Sequence, residues 1–231
     1  VWRAVERATG RAVAIKVIDK KLLLPSLLNM EVYAMQRCSG HPNIAALLAA
    51  FDLPPDEASP DGEWHLVMEL AEGGELFERL LQHGAYTEKV ASDLLKQIAS
   101  AVYHLHSCGV THRDIKPENI VLMSDDEAAP VKLIDFGAAL VLEEGEQVIR
   151  GGKVGTWTYW APELADEDVP YDQAVDMWGL GVVLYIMLSG RHPFEKARAS
   201  ADDVLQGILD ANYSFDSDAW NGVSGRAKEL V

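Results

Sequence analysis

Cysteine is nearly absent: Cys38 and Cys108 are the only two in 231 residues. That is too few for the disulfide framework that staples small secreted folds. Both lie in or beside apolar helical patterns and are expected as buried, reduced thiols. Basic charge is scarce as well. Twenty Lys and Arg face 36 Asp and Glu, a formal net charge of −16. Such a surface repels phosphate backbones and anionic lipid, so no nucleic-acid partner is expected. The longest apolar run, Gly179–Leu188, is too short to cross a bilayer and reads as a core helix. No basic stretch followed by an apolar one opens the chain, so no secretory signal is visible. The expected setting is cytoplasmic and reducing, with a nuclear one left open.

What is present is ordinary globular material, 48% hydrophobic and 24% charged, in a length that one domain can fill. Val1–Val5 and Arg11–Ile18 read as a hairpin turning at Thr9-Gly10. A helix is expected around Leu27–Cys38, then strands at Ile44–Phe51 and Trp64–Leu70. The acidic, proline-rich stretch between those strands, Asp52–Glu63, is a surface loop. After Gly73-Gly74 the character turns helical. Val90, Leu94, Ile98, Val102 and Leu105 recur at helical spacing within Lys89–Cys108. Short strands are expected at Asn119–Met123 and Val131–Phe136, and further helices at Asp172–Ser189 and Ala201–Ala211. Between Gly137 and Trp160 no period is strong, and a loop that long in a compact domain is usually functional. The expectation is an α+β fold: a small β-rich lobe over 1–70 and a larger helical lobe over 71–231.

Four stretches carry chemistry. Val13-Ala14-Ile15-Lys16 puts a lysine in an apolar strand, which is costly without a partner. His112-Arg113-Asp114-Ile115-Lys116-Pro117-Glu118-Asn119 follows the long helix and precedes a strand. Asp135-Phe136-Gly137 comes 21 residues after Asp114, and Ala161-Pro162-Glu163 closes the long loop. An Asp before Gly could be a turn former, Lys116 a solvated loop lysine, and Glu31 a solvent-facing helix residue. The conjunction in this order is far more specific than any one of them.

In order and spacing these stretches resemble the catalytic domain of eukaryotic serine/threonine protein kinases. The resemblance implies a two-lobed protein-kinase-like fold that uses ATP and Mg²⁺. It makes Asp114 the residue that orients or deprotonates the acceptor hydroxyl, with Lys116 steadying the transferring phosphoryl group and Thr156 contacting both. It makes Asn119 and Asp135 the metal ligands, and it makes Lys16, held by Glu31, the contact to the α- and β-phosphates. Met68 matches the residue beside the adenine pocket, Glu69–Ala71 the hinge, and Glu75 the position that meets the ribose. Asp176 matches a brace of the catalytic loop, and Met35, Leu47, His112 and Phe136 an apolar spine between the lobes. Lys116 and Gly155-Thr156 resemble the serine/threonine branch. Gly73–Phe77, Tyr213-Ser214-Phe215-Asp216, Trp220 and Ala227-Lys228 resemble the calcium/calmodulin-dependent group, with plant and protist calcium-dependent kinases nearest. By that analogy Glu75 and Glu118 imply a protein substrate with basic residues before the target.

The match also has departures. Val1 corresponds to the valine after a Gly-rich phosphate loop, and the final helices and an arginine partner for Glu163 would follow residue 231. The resemblance therefore implies a domain truncated at both ends, and poor transfer by these residues alone. From Phe136 to Gly155 there is no Ser, Thr or Tyr. Activity independent of loop phosphorylation is expected, with Glu143, Glu144 or Glu146 neutralising Arg113 and control coming from segments outside the chain. Calcium/calmodulin-type control rests on analogy, because no Asp-x-Asp-x-Asp-Gly calcium loop occurs. Trp157 and Trp160 are bulkier than the residues usual there. Two rivals remain: a kinase-like scaffold without turnover, disfavoured because Lys16, Asp114 and Asp135 are all present, and a small-molecule phosphotransferase, disfavoured by Gly155-Thr156 and Ala161-Pro162-Glu163.

Overall fold

Thr9-Gly10 reverses the chain because Gly10 takes φ 74°, a left-handed conformation open to glycine at little cost. The turn joins β1 (Trp2–Val5) to β2 (Ala12–Asp19), and Glu6 N–H donates to Arg11 O at 2.8 Å to close the hairpin. The computed structural model describes residues 1–126, 129–143, 145–146, 148–195 and 199–231. β3 (Leu47–Leu53) and β4 (Glu63–Glu69) complete an antiparallel sheet in the order β1-β2-β4-β3. In its register Lys16 stands opposite Leu66, and Ala14 opposite Met68.

The first helix, α1 (Pro25–Arg37), begins on a proline, whose missing N–H would have had no helical partner there. It buries Leu28, Glu31, Ala34 and Met35. Three of these are apolar and pack as a helix stripe should. Glu31 breaks the stripe, and its reason lies in the site.

The second lobe is helical, as expected. α2 (Leu76–His83) is short, and α3 (Glu88–Ser107) is started by Thr87, whose hydroxyl accepts from Val90 N–H at 3.4 Å. α4 (Ala174–Ser189) is buried along most of its length and forms the lobe's centre. α5 (Ala201–Leu209) opens on a reciprocal capping box between Ser200 and Asp203, and α6 (Gly225–Leu230) is capped by Ser224. One apolar core runs from Met35 and Ile44 through Leu105, Ile120, Leu133 and Phe136 to Val183 and Met187.

Two small ribbons hold the loops that matter. β5 (Val110–Thr111) pairs with β8 (Leu140–Val141), and β6 (Ile120–Leu122) with β7 (Val131–Leu133). Both strands expected around these ribbons are shorter than periodicity suggests. Asn119 lies in a 3₁₀ turn, Pro117–Asn119, and β7 stops at Leu133. Asp135 has φ 59°, which no strand residue adopts. Neither α2, α6 nor the β5–β8 ribbon is evident from period alone, because each is too short for a repeat to develop.

Candidate active site

Lys16 leaves the sheet on the face covered by α1. Its Nζ lies 2.7 Å from Glu31 Oε1 and 2.8 Å from Asp135 Oδ1. Glu31 is only 3% exposed, so a charged helix residue on a buried face has a cation as its partner. Burial pushes the Lys16 ammonium toward neutrality, but the two carboxylates more than compensate and its pKa is raised. Asp135 shows the converse. Burial pushes it up, and Lys16, the Gly137 N–H and His112 together hold it below the ordinary value. A Cβ on Gly137 would sit 3.3 Å from Asp135 Oδ1 and 3.6 Å from Lys16 Nζ, so the chain passes close over the cluster.

The second cluster forms between α3 and β6. Asp114 Oδ2 is 2.9 Å from Lys116 Nζ, and Asp114 Oδ1 accepts from Thr156 N–H at 2.7 Å. Lys116 also donates to the Thr156 hydroxyl, and Asn119 Nδ2 donates to both Asp114 O and Oδ2 at 2.8 Å. Burial raises the Asp114 pKa, and the bonds from Lys116 and Thr156 outweigh it, leaving the carboxyl net lowered. Gly155 makes the approach possible. At φ 80° a Cβ there would come 2.4 Å from Arg113 O and 3.0 Å from Asp114 Oδ1.

Asp176, 1% exposed on α4, carries the loop that holds Asp114. Its Oδ2 accepts from His112 N–H and pairs with His106 Nε2, each at 2.9 Å, while Oδ1 accepts from Arg113 N–H at 2.8 Å. Those bonds hold Arg113 at φ 64°, a conformation costly for a residue with a Cβ. His112 meets Phe136 edge-on at 5.1 Å, and its Nε2 lies 3.0 Å from Ile134 O. Met35 and Phe136 are fully buried in the same core against which Leu47 and Met68 pack.

Metal and nucleotide chemistry fits the donors left over. Asp135 Oδ2 and Asn119 Oδ1 have no partner among the described residues, and hard oxygen donors of this kind suit Mg²⁺. Among those residues no group of three or more His, Cys, Asp or Glu could hold a metal by itself. Mg²⁺ commonly takes one or two protein oxygens and shares the rest with substrate phosphates and water. At the hinge, no acceptor among the described residues meets the Ala71 N–H, whereas Glu69 N–H is used by Ala46 O at 2.9 Å. The Glu69 side chain turns away to Lys132, 2.9 Å distant and 8% exposed, so its carboxylate is not left for a ligand.

Glu75 stands at the N-cap position of α2 without a side-chain capping bond, near Glu78 and Glu118. Burial first, then those two carboxylates, raise its pKa. None of the three has a cationic side chain within ion-pair range among the described residues, and Glu118 Oε2 is buried without a partner. A cavity of about 720 Å³ lies beside Glu75, lined also by Glu72, Glu78, Tyr86 and Asp125.

The expectation for Arg113 is corrected at Glu143 and Glu146. Its Nε donates to Ala138 O at 2.8 Å and its Nη1 to the Tyr171 hydroxyl at 2.9 Å. Neither Glu143 nor Glu146 pairs with it among the described residues; Glu143 N–H instead donates to Glu146 Oε2. Glu144 lies outside those residues. Tyr171 Oη donates onward to Gly151 O at 3.2 Å, and Tyr171 exchanges two backbone bonds with Ile149. Glu143 and Glu146 are exposed and need no partner, whereas the phenol comes from the segment just before α4. Tyr171, Ala138 and Lys132 were invisible to sequence reasoning, since nothing in their spacing links them to the motifs they support.

This fold and this arrangement define a protein kinase: the chain belongs to the protein kinase domain family, which matches residues 1–231. The chain is 38% identical over 234 residues to Myosin light chain kinase A of Dictyostelium discoideum, a match taking in all of this chain and 75% of that protein. It is 40% identical over 233 residues to Calcium/calmodulin-dependent protein kinase type 1B of Rattus norvegicus, covering 64% of it. To Calcium-dependent protein kinase 9 of Arabidopsis thaliana it is 40% identical over 236 residues, covering 41%. The calcium/calmodulin-dependent group is therefore the one that the sequence motifs indicated. The chain spans about two-fifths to three-quarters of these relatives' lengths.

Proposed function

We propose that this domain transfers the γ-phosphoryl group of ATP to a serine or threonine hydroxyl of a protein. The observation that carries the proposal is the Asp114 cluster. An ionised carboxylate is anchored by Thr156 N–H and Lys116 and bonded to Asn119, whose Oδ1, like Asp135 Oδ2, has no partner among the described residues. Mg²⁺, when bound, supplies charge neutralisation at the phosphates. Lys16, fixed between Glu31 and Asp135, contacts the α- and β-phosphates. Met68 would border the adenine pocket, and within the Glu69–Ala71 hinge the unpartnered Ala71 N–H would donate to the ring. Asp114 accepts the hydrogen bond of the incoming hydroxyl and aligns it, while Lys116 and Thr156 hold the carboxylate in place.

Glu75, Glu78 and Glu118 form an unpaired acidic patch on the α2 side of Asp114, which supports a substrate with Arg or Lys before the target. Arg113 is held by a phenol and a carbonyl, and Phe136 to Gly155 carries no Ser, Thr or Tyr, which supports activity without loop phosphorylation. The names of two of the relatives support calcium or calmodulin control, acting through segments outside this chain. The reducing setting fits two free thiols, Cys38 being pushed up to about 12 by burial.

The test is Asp114→Asn in the full-length protein, assayed with basic peptides and radiolabelled ATP. Transfer falls by a factor of about 10²–10⁴ while ATP binding persists. Undiminished transfer by the variant would reject the reading, and so would a wild type that phosphorylates only small molecules.

A further inference from the structure

We propose that Arg3 and Glu72 form a charged gate across the mouth of the nucleotide cleft, and that this gate slows the release of bound nucleotide. The inference rests on the kinase reading above and adds two positioning residues to it.

Arg3 stands on β1, at one end of the sheet, directly opposite Ala14, and Ala14 stands directly opposite Met68. Residues that face one another across paired strands point to the same side of a sheet, and so do residues two apart along a strand. Arg3, Ala14, Met68 and Lys16 therefore share one face, the face from which Lys16 meets Glu31 and Asp135. From that face the Arg3 guanidinium reaches Glu72. Its Nε lies 3.2 Å and its Nη2 3.1 Å from Glu72 Oε1.

Glu72 follows the Glu69–Ala71 hinge and is anchored to the helical lobe. Its N–H donates to Met123 O at 3.4 Å, and Gly73 N–H donates to Leu122 O at 2.9 Å. A Cβ on Gly73 would come 2.1 Å from Ser124 O, so this segment lies directly against the chain that leaves β6. The pair thus ties a strand of the small lobe to a segment fixed on the helical lobe. Exposed ion pairs contribute little, and at 61% and 60% exposure this one holds weakly. Its placement gives it an effect beyond its strength, because the two lobes part at this edge only when it breaks. Product release or the opening of a closed site often limits turnover. A weak latch at the mouth suits that step: it retains nucleotide during transfer without trapping the product.

The experiment measures release of unlabelled ADP from the full-length protein. Protein preloaded with ADP and Mg²⁺ is mixed in a stopped-flow instrument with an excess of a fluorescent ATP analogue, whose signal rises as ADP leaves. Arg3→Met and Glu72→Gln each release ADP about three- to fivefold faster than wild type. Arg3→Glu and Glu72→Arg are each at least as fast, and the double swap, which rebuilds the pair with its charges exchanged, returns to within about twofold of wild type. Salt at about 0.5 M screens the pair, speeding release from wild type and leaving Arg3→Met where it was. The KM for a basic peptide is the same in Arg3→Met as in wild type, which general loosening of the domain would not allow. Release from both neutral variants at the wild-type rate overturns the inference, as does a double swap as fast as the single ones. Those outcomes leave the kinase reading standing, whereas a wild type that binds no ADP rejects that reading and the gate with it.

Discussion

Replacing Asp176 by Asn changes one atom and leaves the shape, so its effect can be worked from the bonds alone. Oδ2 serves His106 Nε2 and His112 N–H, and Oδ1 serves Arg113 N–H, all at 2.8–2.9 Å in a site 1% exposed. An amide has only one acceptor oxygen. In its less costly orientation it keeps the oxygen on His106 and His112 and turns its NH₂ toward Arg113 N–H. One buried donor then loses a charge-assisted bond and faces another donor, at a cost of about 2–4 kcal/mol. That is a substantial share of the ~5–15 kcal/mol by which domains are stable. The consequence extends to catalysis, because the lost bond holds Arg113 at φ 64° immediately before Asp114. Denaturant unfolding should show a lower midpoint with unchanged slope, and kcat should fall at least tenfold at temperatures where the variant is folded. An unfolding midpoint within error of wild type, with kcat inside twofold, would refute the bracing role.

Tyr171→Phe removes the neutral partner of the Arg113 guanidinium and should lower kcat about tenfold without moving the KM for ATP. Phosphatase treatment of the wild type should leave its activity unchanged, and a loss traced to a loop phosphosite would contradict this. The pH dependence should separate binding from chemistry. Asp114 has a lowered pKa, so its charge persists below the ordinary carboxylate range, whereas the raised pKa of Glu75 means its charge is lost earlier as pH falls. The KM for basic peptides should therefore rise on acidification before kcat drops, and Glu75→Gln should remove that early rise. Lys16, with its pKa raised, stays charged beyond its ordinary value of 10.5 and should contribute no limb at neutral pH.

Much of this was legible in the chain. Lys16 in an apolar strand demanded a carboxylate, and Glu31 on the next helix supplies it at 2.7 Å. The spacing from Asp114 to Asn119 is short enough that local backbone geometry alone brings them into contact. Asp135 was placed by its motif but assigned to a strand, since period cannot reveal a single left-handed residue. Arg113 is where the structure departs, at Glu143 and Glu146. Its need for partners was evident, and nearby loop acids were the natural choice by sequence. Glu143 and Glu146 are exposed, so water serves them as well as a guanidinium would.

The sequence by itself determined the longer elements and the reacting groups, because strand and helix periods, turn glycines and short motifs act over a few residues. Two lobes, a lysine in need of a partner and a carboxylate beside an amide all follow from such local information. Only the tertiary structure decided which distant groups support them. Tyr171 reaches Arg113 across 58 residues, and Asp176 reaches His112 across 64. Lys132 takes the Glu69 side chain out of the hinge. Trp157 and Trp160, alike in sequence, part ways because one finds an apolar cluster and a carbonyl while the other meets solvent. Such pairings depend on how buried polar groups are satisfied across the packed core, and one-dimensional spacing does not carry that information.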